Sequence, residues 1–83
     1  MAEIEIDRDG PVAPYRQLAN MLRERIRAGE IPPGERIPSE ARLHTATGCA
    51  RATIRRAVGV LVDEGLVTTV PYRGTYVRDQ PDE

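Results

Sequence analysis

The stretch ARATIRRAVGVLVDE, residues 50–64, constrains the fold of this chain more than any other, because its two sides differ in character. Its apolar residues recur at steps of three and four, which places them on one side of a helix. These residues are Ile54, Val58, Leu61 and Val62. The spacing therefore predicts a helix over 50–64 whose apolar side faces a core.

The opposite side of this helix collects positive charge in its first two turns, at Arg51, Arg55 and Arg56, with the small residue Ala52 among them. Arg51 and Arg55 are four residues apart, so they are neighbours on the helix surface and repel each other. A polyanion bound against them would offset this repulsion. Arginine pairs on exposed helix faces are usually only solvated, however, so the helix alone leaves both interpretations open.

The flanking sequence predicts how this helix is held. EARLHTATGC predicts a short helix that ends before Gly48, and VTTVPYRGTYV predicts two strands, 66–70 and 75–77, around a tight PYRG turn. An earlier amphipathic stretch predicts a helix over 13–28. Helix, short helix, glycine turn, basic helix and hairpin form the layout of a winged helix-turn-helix. The predicted fold is therefore mostly α with a small antiparallel β-hairpin (α+β), three helices plus a wing.

The distribution of charge divides the chain into three parts. We expect residues 1–10 to be a flexible acidic N-terminus and 79–83 a flexible acidic tail or the start of a linker, each with a net charge of -3. Residues 11–78, the predicted winged helix-turn-helix domain, hold eleven arginines against six acidic residues, a net charge of +5. A basic middle between acidic ends is compatible with nucleic-acid binding.

Local signals predict the caps and turns of the helices. Ser39 is a good N-cap for the second helix, and Glu40 follows in its first turn, where the helix dipole favours an acid. Ala50 is a weak cap for the third helix, because it has no side-chain acceptor for a free N–H. Gly59, inside that helix, either admits a close approach by the first helix or is merely tolerated.

The core must be mainly aliphatic, because the chain has no Phe and no Trp, and we expect Tyr15, Tyr72 and Tyr76 to contribute. Cys49, which follows a turn glycine, is expected to be a small buried residue. A lone cysteine excludes an internal disulfide and fits a cytoplasmic chain. The sequence has no apolar run of 18 residues and no apolar segment near its N-terminus, which argues against a membrane span and a signal peptide.

No pattern in the sequence predicts catalysis, a cofactor or a metal. The single histidine, His44, has no paired acid beside it, and Cys49 lies five residues away with no third ligand. There is also no glycine-rich phosphate loop. We therefore expect a binding protein rather than an enzyme, with no catalytic residues, no cofactor and no metal ligands.

Taken together, several blocks of the chain resemble the N-terminal DNA-binding domain of GntR-family bacterial transcription regulators. They are PYRQLANMLRERIRAGEIPPGERIPSE, then R-x-T-I-R-R-A, L-x-x-EGLV and RGTYV, in the right order and spacing. The resemblance covers about 14–77. It implies DNA contacts on the basic helix, at the start of the second helix and on the wing. These residues are Arg51, Ala52, Thr53, Arg55, Ser39, Glu40, Arg73, Gly74 and Thr75, joined by the neighbouring Arg56.

The chain departs from the family's pattern at three places. Ala50 stands where Ser or Thr is usual, so a hydroxyl contact to phosphate is lost. Ala41 stands where a basic residue is frequent, and Arg42 substitutes for it from a different helical angle. His44 stands where a small residue is usual, so it lies at the edge of the helix crossing or widens it. Family members also normally continue into an effector-binding domain, and we expect no effector site within these residues.

The resemblance implies sequence-specific binding of double-stranded DNA by a bacterial transcription regulator, with repression the favoured outcome. Helix 50–64 would enter the major groove and the wing, residues 70–75, the minor groove. We expect an inverted-repeat operator and a homodimer formed on DNA. The alternative is a winged-helix protein-interaction module, in which the arginines bind an acidic protein surface and DNA affinity is weak and nonspecific.

Overall fold

The computed structural model describes residues 5–79 and folds them into three helices followed by a two-stranded antiparallel hairpin. In chain order the elements are α1 (Pro14–Arg27), α2 (Glu40–Thr47), α3 (Arg51–Asp63), β1 (Val67–Val70) and β2 (Gly74–Val77). The predicted class, mostly α with a small antiparallel hairpin, is confirmed. Each predicted helix and strand also ends within one residue of the observed element.

Helix α1 lies along α3 and runs in the same direction. Near the start of α1 and the middle of α3, the guanidinium of Arg56 stacks 3.9 Å from the ring centroid of Tyr15. Toward their C-terminal ends, Arg23 pairs with Glu64 at 2.6 Å. The two contacts are eight residues apart in each segment, so the helices stay side by side between them. Helix α1 is therefore the support on which α3 rests.

The turn between α2 and α3 is tight and its buried polar groups are paired. Gly48 adopts φ 73°, a left-handed conformation that ends α2. The buried hydroxyl of Thr47 donates to the carbonyl of Leu43 at 2.7 Å and accepts the N–H of Cys49 at 3.0 Å. Ala50 then precedes α3 without a side-chain cap, as predicted. These bonds fix the direction in which α3 leaves the turn.

The hairpin carries the wing, which we define as residues 70–75. Its register pairs Val67 with Val77 and Val70 with Gly74, which leaves three residues, 71–73, for the turn.

A short extended segment adds to the other edge of β2. The N–H of Ile37 donates to the carbonyl of Thr75, and the N–H of Val77 donates to the carbonyl of Glu35, both at 2.9 Å. Ile37 is buried, so this segment also contributes a side chain to the core. The wing is thereby attached to the domain through both strands rather than through β1 alone.

One aliphatic core is shared by the helices and the hairpin. Its fully buried side chains come from every helix, from the turn between α2 and α3, and from β1: they are Leu18, Leu22, Leu43, Cys49, Ile54, Leu61 and Val67. The predictions of an aliphatic core and of a buried Cys49 are confirmed. The core packs against α3 from one side only, so the opposite side of α3 remains outside the domain.

Two sequence interpretations of the core are wrong. Val62 is 40% exposed, because the buried stripe of α3 is centred on Ile54, Ala57 and Leu61, and Val62 lies beyond its edge. Tyr72 is fully exposed, because the turn projects past the core. The structure also decides between the two alternatives for Gly59. An added Cβ there would meet nothing within 4 Å, so no close approach by α1 requires that glycine.

The described part of the acidic N-terminus makes contacts with the domain. Ile6 packs against the core. The amide of Gln17 donates to the carbonyl of Asp7 at 2.6 Å, and Arg8 donates to the carbonyl of Thr47 at 2.8 Å. Residues 1–4 and 80–83, which include most of the predicted acidic tail, lie outside the described residues. The flexibility of both ends stays a prediction.

Candidate nucleic-acid interface

The first two turns of α3 hold the largest group of predicted contact residues, on the side away from the core. Their side chains are exposed, apart from a half-buried Thr53; the residues are Arg51, Ala52, Thr53, Arg55 and Arg56. Ile54 and Ala57, on the opposite side of the same turns, are fully buried. The core therefore holds α3 from behind and presents its N-terminal half to solvent.

Glu40, the first residue of α2, holds two of these arginines. Its carboxylate accepts hydrogen bonds from Arg55, from Nε at 2.9 Å and from Nη2 at 3.2 Å. Arg51 Nη1 lies 3.6 Å from the same carboxylate. The repulsion between the two arginines, which the sequence predicts, is thus offset by a group from the neighbouring helix.

These contacts also fix the charge state of Glu40. The hydrogen bond from Arg55 lowers the pKa of the Glu40 carboxyl, burial opposes this change, and the positive charges of Arg55 and Arg51 add to it. The same hydrogen bond raises the pKa of the Arg55 guanidinium. At neutral pH the site therefore contains one carboxylate between two guanidinium groups, and it keeps a net positive charge.

Arg55 retains hydrogen-bond donors that Glu40 does not use. A guanidinium carries its N–H donors on two edges, each of which can form a parallel pair of hydrogen bonds. Glu40 occupies the edge formed by Nε and Nη2. The edge formed by Nη1 and Nη2 points away from Glu40, and the side chain is 66% exposed. That edge matches a phosphate or the O6 and N7 acceptors of guanine.

The start of α2 borders the same face. The hydroxyl of Ser39 accepts the N–H of Arg42 at 3.1 Å, which confirms Ser39 as the N-cap. Because Glu40 contacts Arg55, the positive end of the α2 dipole lies beside the exposed turns of α3. The side chain of Arg42 is exposed there. His44 lies on the outer side of α2, where its Nδ1 is 2.7 Å from the carbonyl oxygen of Cys49.

The wing has a stiff base. The side chain of Arg36 donates to the carbonyl of Arg73 at 2.8 Å, and it runs beneath Gly74, where an added Cβ would lie 2.6 Å from Arg36 Cδ. The hydroxyls of Thr69 and Thr75 are 3.2 Å apart across the two strands. The side chain of Arg73 is exposed at the turn. The geometry thus holds one arginine at the tip of a braced hairpin.

One open groove joins the start of α2, α3 and the wing. Among the predicted contact residues, those that line it are Ser39, Glu40, Arg42, Arg55, Arg73, Gly74 and Thr75. Arg51, Ala52 and Thr53 lie outside this groove, nearer the first turn of α3. The structure therefore brings the residues from α2 and the wing together around Arg55, with Arg51 connected through Glu40.

Arg56 belongs to a separate cluster with α1. Its guanidinium stacks over Tyr15, whose hydroxyl accepts a hydrogen bond from Arg16 at 2.9 Å. That hydrogen bond lowers the pKa of Tyr15, burial opposes it, and the charges of Arg16 and Arg56 also lower it. Two positive charges therefore flank one phenol beside the exposed face of α3.

Sequence reasoning missed three members of these arrangements: Arg16, Arg36 and the phenol of Tyr15. Arg36 precedes Ile37, which faces the core. Because side chains alternate along a strand, this position predicts that the side chain of Arg36 faces away from the core, and it does not indicate a contact with the wing. Its partner on the wing depends on the pairing of this segment with β2, for which the sequence carries no signal. Tyr15 and Arg56 meet only because α1 and α3 lie side by side.

Within residues 5–79 no group of three or more His, Cys, Asp or Glu side chains is placed to hold a metal ion. No helix in that range is long and apolar enough to cross a membrane.

Comparison with known proteins gives a consistent match over this domain. The sequence model described as bacterial regulatory proteins, gntR family, matches residues 14–77. The chain is 39% identical over 66 residues to the mannosyl-D-glycerate transport/metabolism system repressor MngR of Escherichia coli, covering 80% of this chain and 28% of that protein. It is 35% identical over 74 residues to the HTH-type transcriptional repressor NagR of Bacillus subtilis, covering 89% and 30%.

Solved structures share the fold. The crystal structure of AraR(DBD) in complex with operator ORX1 has a TM-score of 0.82 and 33% identity, covering 93% of this chain and 98% of that one. YtrA from Sulfolobus acidocaldarius, a GntR-family transcription factor, has a TM-score of 0.84 and 32% identity, covering 96% and 84%. The chain spans about 30% of the length of the curated relatives it matches.

Proposed function

Because the chain belongs to the gntR family of bacterial regulatory proteins, we propose that residues 14–77 bind double-stranded DNA of a specific sequence and that the protein regulates transcription as a repressor. The observation that carries the proposal is one groove lined both by Arg55, which Glu40 holds, and by the arginine of the wing, Arg73. Similarity to two named repressors and to AraR(DBD), which was crystallised with operators, supports the proposal.

In the proposed complex, α3 enters the major groove. A helix with its side chains is about 10–12 Å across, which matches the width of that groove, about 12 Å. The free edge of Arg55 then donates to guanine O6 and N7, and Arg51, nearer the helix start, contacts a phosphate. Thr53 contacts a phosphate or a thymine methyl group. Ala52 leaves room for the close approach of a base edge.

Glu40 acts as a positioning residue in this scheme. A carboxylate repels phosphate, so Glu40 is not itself a backbone contact. By occupying one edge of Arg55, it aims the other edge outward and restricts the rotation of a long side chain before DNA arrives. Ser39 caps α2, and the backbone N–H groups at the start of α2, together with Arg42, face a phosphate.

The wing, residues 70–75, lies in the adjacent minor groove, with Arg73 inserted where A·T tracts concentrate negative potential. Arg56, with Tyr15 and Arg16, faces the phosphates that flank the major-groove contact.

Two copies of the chain would bind an inverted repeat with half-sites about one helical turn apart. The protein thus acts by binding rather than by catalysis, in the bacterial cytoplasm where its DNA target lies.

Selection of bound duplexes from a random DNA pool tests this function. We expect an enriched inverted repeat, with affinity that falls as salt rises because arginines displace counterions from phosphates. Arg55→Ala should weaken binding to the selected operator by about ten- to a hundredfold and relax the preference at one base pair. Arg27→Ala is the matched control, since Arg27 is exposed at the far end of α1, outside the groove.

Each alternative gives a distinct result. If Arg55→Ala weakens binding equally on all DNA sequences, then Arg55 contacts a phosphate rather than a base. Binding that depends on salt but enriches no sequence would refute the proposal, and it is the behaviour expected of a protein-interaction module with a basic face.

A further inference from the structure

Tyr72, at the tip of the wing, has an uncommon backbone conformation and a fully exposed ring. Its φ is 65°, and Tyr72 is the one non-glycine residue with a positive φ among residues 5–79. A bulky side chain in this conformation is an outlier that costs free energy, and asparagine or glycine would fit better. No core contact explains the choice of tyrosine, since the ring projects into solvent.

The tip that carries Tyr72 is rigid rather than frayed. The N–H of Arg73 donates to the carbonyl of Val70 at 3.0 Å and closes the turn. Arg36 donates to the carbonyl of Arg73 at 2.8 Å from below. These bonds fix the backbone on both sides of Tyr72, so the ring projects into solvent from a defined backbone position. A rigid aromatic side chain loses little entropy when it binds.

We propose that Tyr72 is a minor-groove contact of the wing and that it selects A·T over G·C at the base pairs beneath it; this rests on the function proposed above. Tyr72 and Arg73 are adjacent at the tip and line the same groove as Arg55, so DNA that reaches α3 also meets the ring. Protein partners also use exposed tyrosines, but the flanking arginine favours a polyanion.

The chemistry of the minor groove explains the selection. The groove is about 6 Å wide and its walls are deoxyribose, an apolar surface against which an aromatic ring can pack edge-on. At an A·T pair the floor offers adenine N3 and thymine O2 as acceptors for the phenolic hydroxyl. A G·C pair adds the guanine N2 amino group, which fills the floor and holds the ring away from the acceptors beneath it. Narrow A·T tracts also increase the contact between ring and walls.

The test combines two protein variants with three operators. Tyr72→Asn removes the ring and keeps a residue that tolerates the left-handed conformation, and Tyr72→Phe removes only the hydroxyl. The selected operator is prepared with A·T, inosine·C or G·C pairs beneath the wing. Inosine·C has the minor-groove face of A·T and the major-groove face of G·C, so it separates the two grooves. Affinity is measured by fluorescence anisotropy and folding by thermal denaturation.

We expect the wild-type chain to bind the A·T and inosine·C operators about tenfold more tightly than the G·C operator. Tyr72→Asn should bind the A·T and inosine·C operators roughly tenfold more weakly than the wild type does, and the G·C operator with nearly the same affinity. The Tm of this variant should not fall. Tyr72→Phe should lose a smaller part, about threefold. The proposal is overturned if Tyr72→Asn binds every operator as the wild type does while Arg55→Ala loses binding, and the proposed function then stands. If the random pool yields no operator, both proposals fail.

Discussion

Replacing Gly74 and Gly59 by alanine, one at a time, should change the stability of this domain in opposite directions. The added methyl group is the same in both variants. At Gly74 the methyl group would clash with a side chain, and the backbone conformation is unfavourable for alanine. At Gly59, which lies within a helix, the methyl group would project into open space. The pair therefore measures the surroundings of each glycine rather than the general effect of alanine.

The magnitude at Gly74 follows from two contributions. Its φ is 132°, where an L-residue costs about 1–3 kcal/mol. The new Cβ would also lie 2.6 Å from Arg36 Cδ and 3.1 Å from Arg36 Cγ, so the side chain must move and its hydrogen bond to the carbonyl of Arg73 is lost. An exposed hydrogen bond of this kind contributes at most about 1 kcal/mol. We expect a loss of about 2 kcal/mol, or roughly 10 °C in Tm for a domain of this size.

At Gly59 the expected change is a gain. Nothing lies within 4 Å of the added Cβ, and Gly59 is in the interior of α3. Alanine is more favourable than glycine in a helix interior by about 0.8–1 kcal/mol. The Tm of Gly59→Ala should therefore rise by about 4–8 °C.

Thermal and urea denaturation, followed by circular dichroism, measure both changes. A double-mutant cycle with Arg36→Ala separates the contact from the backbone strain, because Gly74→Ala should be less harmful once Arg36 is truncated. Two results would refute the roles assigned to these glycines: a Gly74→Ala variant as stable as the wild type, or a shift of both alanine variants in the same direction.

Three further variants test other parts of the fold. Ala50→Ser should raise the free energy of unfolding by about 1 kcal/mol in urea titrations, because Ala50 has extended N-cap dihedrals and no side-chain cap. Thr47→Val should lower it by about 1–3 kcal/mol with an unchanged m-value, because the buried N–H of Cys49 loses its acceptor. The hydrogen bond from Arg23 lowers the pKa of Glu64 in the folded state, so the stability it contributes is present above the unfolded pKa and lost as the pH falls through the folded pKa. Wild type and Glu64→Gln should accordingly differ at pH 7 and converge well below the ordinary glutamate pKa of about 4.3.

The helices and strands can be predicted because their signals are local. Helix α1 is bounded by Pro14 and Gly29, and Gly48 ends α2. The sequence also predicts most of the buried stripe of α3, although it includes Val62 and overlooks Ala57. A 3.6-residue period defines the centre of such a stripe well but leaves its edges open, because the neighbouring elements decide how wide a strip they cover.

The contacts that shape the candidate site cannot be predicted in the same way, since they join residues far apart in the chain. Arg55 and Glu40 are 15 residues apart, and Arg36 and Arg73 are 37 apart. Each pair depends on the crossing of two elements, and a sequence with twelve arginines offers many equally plausible partners. Tyr72 is expected in the core because the chain has few aromatic residues. It lies in the turn of the hairpin, however, and the geometry of that turn projects its ring into solvent.

The first turn of α3 is less stabilised than a helix start usually is. It has no side-chain cap, no acidic residue, and an arginine where the helix dipole is already positive. A cap and an acid within α3 would each stabilise the helix by about 1 kcal/mol or less. An acid on α3 itself would, however, occupy the surface that a phosphate needs. Placing the balancing carboxylate on α2, as Glu40, keeps the two arginines in position and leaves the exposed turns of α3 positive. The same geometry therefore accounts for a local loss of stability and for the affinity that we propose for DNA.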